Sequence, residues 1–183
     1  MRIISGIAKG KSLSAPRGKG IRPTSDKVKE ALFDILRERV EGAIFLDLFA
    51  GTGGIGIESL SRGAEMAVFV EKNRAFLKIL KANLLSSSLI SQADVYLTDA
   101  VEFIKKMNTL KRRFDLIFVD PPYHTGDVKR IFLCLSSLDI INENGLIIFE
   151  HFHKVKLDKS IGNLILYREY IYGDSVLTIY RKE

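Results

Sequence analysis

Residues 45–56 read Phe45-Leu46-Asp47-Leu48-Phe49-Ala50-Gly51-Thr52-Gly53-Gly54-Ile55-Gly56. The apolar run that opens this stretch predicts a buried strand, and Ile55–Ser61 predicts the helix that follows. Three glycines, Gly51, Gly53 and Gly56, satisfy the G-x-G-x-x-G pattern in the strand–turn–helix setting that the pattern requires. Glycine permits a tight turn and lets a ligand approach the backbone closely. The stretch therefore predicts the first strand, loop and helix of a Rossmann-like fold.

Short apolar runs alternate with amphipathic stretches after this loop. The predicted strands are Ile44–Phe49, Ala67–Glu71, Asp94–Leu97, Phe114–Val119, Leu146–Glu150, Leu164–Ile171 and Val176–Tyr180, and the predicted helices after the first strand are Ile55–Ser61, Arg74–Leu85, Ala100–Met107 and Val128–Leu138. Alternation of this kind predicts a parallel sheet covered on both faces through right-handed crossovers. The turn Tyr172-Gly173-Asp174-Ser175 predicts a closing antiparallel hairpin. We expect an α/β fold with a doubly wound, mostly parallel, seven-stranded sheet.

Composition restricts the class of protein. The chain has 183 residues, of which 46% are hydrophobic and 27% charged, as expected for a globular chain with a substantial core. Its apolar runs are too short for a membrane span, and the basic first residues lack the apolar region of a signal peptide. The single cysteine, Cys134, excludes an internal disulfide and fits a reducing compartment. We therefore expect a cytoplasmic protein.

The net charge of +6 is concentrated at the beginning of the chain. Residues 1–25 contain six basic residues and no acidic one, with glycines between them, which predicts a flexible basic arm or a loose hairpin. Charge of one sign often binds nucleic acid, although a solvated tail is the alternative. The candidate nucleic-acid contacts are Lys9, Lys11, Arg17, Lys19 and Arg22. A helix with Thr24 or Ser25 as N-cap should follow, so we expect residues 1–41 to form an N-terminal unit and residues 42–183 the main domain.

Acidic residues around the glycine loop indicate the ligand. Glu71 ends the second predicted strand 20 residues after Gly51, where a carboxylate binds ribose hydroxyls. Asp47 lies four residues before Gly51, where it would repel a pyrophosphate but suit an ammonium and a sulfonium. This favours S-adenosylmethionine over a nicotinamide dinucleotide. Asp99, just after the third strand, is a candidate partner of the adenine amino group or a helix N-cap, and the two roles are compatible.

Asp120-Pro121-Pro122-Tyr123 follows the predicted strand Phe114–Val119. Two prolines remove two backbone donors and hold a stiff turn, and proline keeps the preceding Asp120 extended. A carboxylate, bare carbonyls and an aromatic ring suit a planar group that bears an NH2, although an ordinary strand end is the alternative. His151 and His153 alternate on one strand face without an evident third ligand, so we expect no metal site.

These motifs, in this order, resemble the class I S-adenosylmethionine-dependent methyltransferases that act on exocyclic amino groups. Three stretches narrow the resemblance: residues 22–33, read as Arg-Pro-Thr-Ser-Asp-Lys-Val-Lys-Glu-Ala-Leu-Phe, residues 45–56, and Tyr172-Gly173-Asp174. Together they resemble the RsmD family of 16S ribosomal RNA guanine-N2 methyltransferases, over nearly the whole chain.

The resemblance implies roles for individual residues. Asp47, Gly51 and Gly53 would hold the methionine part of the methyl donor, Glu71 the ribose and Asp99 the adenine region. Phe49, Thr52 and Ala100 are further candidate donor-binding residues. In the catalytic set, Asp120 and the Pro121 carbonyl would grip the guanine amino group, Pro122 would complete the turn and Tyr123 would stack on the base.

The resemblance also implies a substrate and a partner. The substrate would be a guanine in a loop of 16S ribosomal RNA, presented by a small-subunit assembly particle to a monomeric enzyme. The alternative is an adenine-N6 methyltransferase of DNA or RNA, because Asp-Pro-Pro-Tyr suits either purine amine. A DNA enzyme of that kind needs a sizeable target-recognition module, and this chain has room only for an arm of about forty residues.

Overall fold

The computed structural model describes residues 1–16, 26–122 and 127–182. Its helices are α1 (Asp26–Leu36), α2 (Gly54–Ser61), α3 (Arg74–Ser87), α4 (Ala100–Thr109) and α5 (Asp127–Ser137). Its strands are β1 (Ile44–Asp47), β2 (Met66–Glu71), β3 (Ala93–Leu97), β4 (Phe114–Val119), β5 (Ile141–Phe152), β6 (Ser160–Ile161), β7 (Leu164–Tyr172) and β8 (Ser175–Lys182). The predicted N-cap (Thr24 or Ser25), Tyr123 and three candidate contacts, Arg17, Lys19 and Arg22, lie outside the described residues.

The strands form one mixed sheet in the order β3-β2-β1-β4-β5-β8-β7-β6. The first five are parallel, and β8, β7 and β6 continue the sheet through antiparallel pairings. The α/β class, the parallel part and the closing hairpin are therefore confirmed. The predicted count of seven strands is wrong, because the two-residue strand β6 pairs with β7 at the edge. Two residues are too few to show an alternating pattern in the sequence.

Helices cover both faces of the sheet, as a doubly wound fold requires. On one face, Phe45 of β1 lies in a buried cluster with side chains of α1, α2 and α3. On the other face, its neighbour Leu46 lies in a second cluster with side chains of α4 and α5. Successive side chains of a strand point to opposite faces, so this central strand is apolar on both sides. The two cores hold the ends of the parallel strands in fixed positions.

The first thirteen residues are a hairpin that packs on α2, which corrects the expectation of a flexible arm or loose hairpin. Its backbone bonds include Ile3 N to Lys11 O at 3.0 Å, and Ile3 is 1% exposed in the core. Gly6 has φ +83°, and a Cβ there would lie 1.6 Å from the Ser61 carbonyl oxygen. Only glycine permits that approach, so the hairpin docks closely although its sequence reads as a basic tail.

None of the helices within the described residues is long and apolar enough to cross a membrane.

Candidate functional site

A cavity of about 390 Å³ opens at the carboxyl ends of the parallel strands. It lies where β1 has β2 on one side and β4 on the other, which is the point where the strand order reverses and where open α/β sheets bind ligands. Three carboxylates from these neighbouring strands line it: Asp47 from the end of β1, Glu71 from the end of β2, and Asp120 directly after β4. The fold thus brings together acidic residues that are up to 73 positions apart in the sequence.

Asp47 is a buried carboxylate on the floor of this cavity. It is 2% exposed, and its Oδ2 accepts a hydrogen bond from the Gly56 amide at 3.1 Å. Burial raises its pKa to about 7, and the negative charge of Glu71 adds to the rise, while amide donors at Gly56 and Phe49 oppose it. A cationic ligand group beside Asp47 would lower that pKa and stabilise the ionised form.

Glu71 is held by two backbone amides. Its Oε2 accepts from the Gly51 amide at 2.8 Å, and its Oε1 accepts from the Asn73 amide at 2.7 Å. Each carboxylate oxygen can accept a further bond, so the orientation of Glu71 is set in advance while it can still bind hydroxyl groups. The bond to Gly51 also ties the end of β2 to the glycine loop.

The three glycines of the loop have different tasks. Gly51 lines the cavity with φ +53°, and open space lies where its Cβ would be. Gly53 caps α2 in the left-handed region and lies off the cavity wall, where a Cβ would meet Ile57 at 2.9 Å. A Cβ on Gly56 would lie 2.3 Å from the Phe69 ring, so this glycine lets α2 pack against β2. The motif therefore combines one ligand-facing position with two packing positions.

The other predicted donor-binding residues are distributed around the same cavity. Phe49, Thr52 and Ala100 line it. Asp99 does not, and its Oδ1 accepts from the amides of Val101 and Glu102, at 2.9 and 3.4 Å, which confirms it as the N-cap of α4. The contact between Asp99 and adenine stays a prediction. The ligand-binding roles of all the predicted donor-binding residues likewise stay predictions.

The Asp-Pro-Pro turn forms a further part of the cavity wall, after the strand next to β1. Asp120 and Pro122 line the cavity together with Pro121, which is buried. Because the register pairs Asp47 with Phe118 on the neighbouring strand, the turn begins just beyond the carboxylate of β1. A ligand group bound between the Asp47 carboxylate and the turn would therefore contact both. Tyr123 lies outside the described residues, so its stacking role stays a prediction.

Two buried polar residues near the cavity were not singled out from the sequence. Lys29 of α1 lines the cavity at 1% exposure, donates to the Arg2 carbonyl at 2.6 Å and pairs with Glu58 at 3.5 Å. Glu58 of α2 is fully buried and also accepts from two hairpin amides and from Arg62. Helical spacing could have identified Lys29 as buried, because Lys29, Phe33 and Leu36 lie on the same face of α1.

Asn83 of α3 is a third residue of this kind, and it links Ser14, directly after the hairpin, to the glycine loop. Its side-chain amide donates to the Thr52 carbonyl at 2.9 Å and to the Ser14 carbonyl at 3.0 Å, while its oxygen accepts from the Ser14 amide at 2.8 Å. Met1 also lines the cavity. The N-terminal hairpin is therefore part of the support of this site.

We expect Lys29→Met to lower the free energy of unfolding by about 3 kcal/mol, at the lower end of the range for breaking a buried ion pair. The loss is moderated because Arg62 and the amides of Ile4 and Ser5 still bind Glu58. Urea unfolding measures the effect, and the exposed neighbour Lys27→Met is the matched control. Equal losses in the two variants would show that the buried pair does not matter.

Potential metal ligands do not cluster within the described part of the chain. No group of three or more histidine, cysteine, aspartate or glutamate side chains is placed to hold a metal ion there. His151 instead lies with Nε2 2.7 Å from the Thr178 hydroxyl and with Nδ1 3.1 Å from the Phe152 carbonyl oxygen.

Comparison with known proteins identifies the family. A family model described as "Conserved hypothetical protein 95" matches residues 1–181. The chain belongs to this family. It is the RsmD family that the motifs predicted, so that prediction is confirmed.

Individual relatives of the RsmD family align with the whole chain. "Putative rRNA methyltransferase YlbH" of Bacillus subtilis (strain 168) is 39% identical over 182 residues, covering 100% of this chain and 99% of its own. "Ribosomal RNA small subunit methyltransferase D" of Escherichia coli (strain K12) is 33% identical over 189 residues, covering 100% and 90%. The solved structure "Putative methyltransferase yhhF from Escherichia coli" superposes with a TM-score of 0.88 at 32% identity, covering 100% and 98%. The class I methyltransferase fold is thus confirmed.

Proposed function

We propose that the protein is an S-adenosylmethionine-dependent methyltransferase that modifies the N2 amino group of a guanine in 16S ribosomal RNA. The observation that carries the proposal is the single cavity lined by Asp47, Glu71 and the Asp120–Pro122 turn. The names of the RsmD-family relatives support ribosomal RNA of the small subunit as the substrate. The choice of guanine N2 follows from the resemblance of three sequence stretches to that family.

The residues of the cavity fit S-adenosylmethionine. Asp47 is a buried carboxylate with a raised pKa, which a ligand ammonium would stabilise. Glu71 is oriented for a pair of ribose hydroxyls, and Phe49 and Ala100 offer apolar surface. Lys29 lines the cavity with a buried ammonium group, which can meet the ligand carboxylate. When bound, the donor supplies a methyl group on a sulfonium.

The Asp-Pro-Pro turn would position and activate the amino group of the base. An aromatic amine is a poor nucleophile because its lone pair is delocalised into the ring. The Asp120 carboxylate and the Pro121 carbonyl can accept the two amino hydrogens, which turns the lone pair toward the methyl carbon. The carboxylate of Asp120 would also stabilise the positive charge that develops on nitrogen as the N–C bond forms and the bond from the methyl carbon to sulfur breaks. The sulfur would leave as a neutral thioether, and the extra proton on nitrogen would pass to water. Precise positioning supplies much of the remaining acceleration.

The basic N-terminal unit would contact the RNA backbone. Lys9 and Lys11 lie exposed on the hairpin, and the residues up to Arg22 add further positive charge. We propose that residues 1–41 provide this contact and that residues 42–183 carry out the reaction. We further propose a monomeric cytoplasmic enzyme acting on a small-subunit assembly particle, in which the target loop is accessible and the base is unstacked at low cost.

Lys9→Ala/Lys11→Ala should weaken binding to the RNA particle and lower the salt slope of log affinity by about 1.4–1.8, the value expected for two lost phosphate contacts. The matched control is Lys78→Ala/Lys105→Ala, which removes the same charge from exposed positions on α3 and α4. Filter binding between 50 and 200 mM salt is a suitable measurement. A slope equal to that of the unaltered protein would argue against the hairpin as an RNA contact.

Radiolabelled methyl transfer tests the function directly. The acceptors are small-subunit particles, naked 16S ribosomal RNA and duplex DNA, and the modified nucleoside is then identified by digestion and chromatography. We expect N2-methylguanosine from the particle. N6-methyladenosine would favour the alternative enzyme, which the names of the relatives do not support. Absence of transfer to any RNA would refute the proposal.

A further inference from the structure

A second cavity, of about 300 Å³, lies beside the carboxyl end of β5. His151, Lys156, Glu169, Ile171 and Val176 are among its lining residues. It is separate from the cavity that holds Asp47 and Asp120, and no residue is common to their linings. Its size is at the lower limit for a ligand pocket, and it joins apolar walls to a few polar groups.

The second cavity is close to the candidate active site. The sheet register pairs Val119 with Phe149, so Asp120 leaves β4 one position beyond that pair. His151 lies two residues after Phe149 on the neighbouring strand, or about 7 Å along it. Both cavities therefore open at the same edge of the sheet, within the span of neighbouring nucleotides of one RNA strand.

Glu169 is exposed, and hydrogen bonds that reach it from the buried residues Thr178 and His151 orient its carboxylate. Thr178 is 1% exposed, and its hydroxyl donates its one hydrogen to Glu169 Oε1 at 3.1 Å. His151 Nε2 lies 2.7 Å from the same hydroxyl oxygen, which accepts from the Nε2–H tautomer of the ring. Among the described residues, Oε2 of Glu169 accepts no hydrogen bond from the protein. The oriented carboxylate of Glu169 can accept hydrogen bonds, and the neighbouring side chains of Ile171 and Val176 supply apolar surface. That pair of features suits the N–H edge and the face of a nucleobase.

A basic ridge borders this cavity, formed by the segment 153–159 between β5 and β6. Lys154, Lys156 and Lys159 are exposed along it, while Val155 and Leu157 between them pack against the core on the α4 and α5 side. Because Val155 and Leu157 are anchored, Lys154 and Lys156 remain exposed on the segment. Asp158 is the one acidic residue of the segment. Such a ridge is complementary to an RNA backbone.

We propose that this cavity and ridge form a second RNA-binding site, which holds a nucleotide adjacent to the target base. Glu169 accepts hydrogen bonds from the N–H edge of that base, Ile171 and Val176 contact its face, and Lys154 and Lys156 contact its phosphates. Thr178 and His151 are positioning residues for Glu169. The inference rests on the proposed function for the identity of the RNA, and it places the substrate between this site and the N-terminal hairpin.

Two pairs of variants test the site by RNA binding and by steady-state methyl transfer. Glu169→Gln should raise KM for the RNA about tenfold, with kcat and the KM for S-adenosylmethionine unchanged, whereas the exposed Glu143→Gln should change nothing. Lys154→Ala/Lys156→Ala should lower the salt slope of RNA affinity by about 1.4, and Lys78→Ala/Lys105→Ala should leave it unchanged.

An RNA with an abasic residue beside the target guanine identifies the base contact. We expect it to bind the unaltered protein about tenfold more weakly than intact RNA. We also expect the unaltered protein and Glu169→Gln to bind this abasic RNA equally, because the partner of the substituted group is already lost. RNA affinity is read by fluorescence anisotropy and needs no methyl transfer. Variants that match their controls overturn this inference alone, whereas failure of the unaltered protein to methylate any RNA overturns the proposed function.

Discussion

Asp120→Ala should lower the rate of methyl transfer about 10²–10³-fold while S-adenosylmethionine binds with nearly unchanged affinity. The reason is that Asp120 belongs to the wall formed by the Asp-Pro-Pro turn, whereas the predicted donor contacts lie on β1, the glycine loop, β2 and the start of α4. Removal of the carboxylate takes away both an acceptor for the amino group and the negative charge that stabilises the developing ammonium. Single-turnover methyl transfer and calorimetry measure the two effects separately.

Two further variants sharpen the test of Asp120. Asp120→Asn keeps the size and one acceptor oxygen but loses the charge, so its rate should fall between that of the alanine variant and that of the unaltered protein. Asp34→Ala, on the exposed side of α1, is the control for a general effect of losing an aspartate. Unchanged turnover in Asp120→Ala would refute the proposed mechanism, and a parallel loss of donor binding would place Asp120 in the donor site instead.

Asp47→Asn should weaken S-adenosylmethionine binding about 10–150-fold at pH 8, the range expected for loss of a hydrogen bond to a charged group. Methylthioadenosine, which lacks the amino-acid part, should bind both proteins equally and serves as the ligand control. Because the pKa of Asp47 is raised to about 7, donor affinity of the unaltered protein should also increase as the pH rises through that value. Calorimetry between pH 6 and 8 checks both expectations, and equal affinities for the donor would contradict the assignment of Asp47.

The same substitution should stabilise the ligand-free protein at alkaline pH. The folded-state pKa of Asp47, about 7, lies above its ordinary value of 3.8, so between these values the folded protein binds more protons than the unfolded chain. Stability contributed by the protonated form is present at low pH and is lost as the pH rises toward and through 7. Asparagine cannot ionise, so the melting temperature of Asp47→Asn should exceed that of the unaltered protein at pH 8 and match it more closely at pH 5. An identical pH dependence in both proteins would show that Asp47 is not the titrating group.

The parallel strands and the carboxylates at their ends could be predicted from the sequence because local patterns carry that information. Apolar runs such as Phe114–Val119 match the observed strand in both bounds. The strand–glycine–helix motif fixes which end of β1 faces the ligand, and the alternation of strands and helices places the ends of β2 and β4 at the same edge. Asp47, Glu71 and Asp120 therefore converge as expected.

The sequence by itself determined the fold class, the family resemblance and the acidic residues of the candidate site. Only the tertiary structure decided that the N-terminal residues are a docked hairpin, that Lys29 and Glu58 form a buried pair, and that Asn83 ties Ser14 to the glycine loop. These contacts join residues separated by 29 to 69 positions. From the sequence alone, a lysine such as Lys29 would be assigned to the surface, because its buried partner Glu58 is distant in the chain. The physical reason is that burial and pairing depend on which surfaces meet in space, and local spacing carries no information about that meeting.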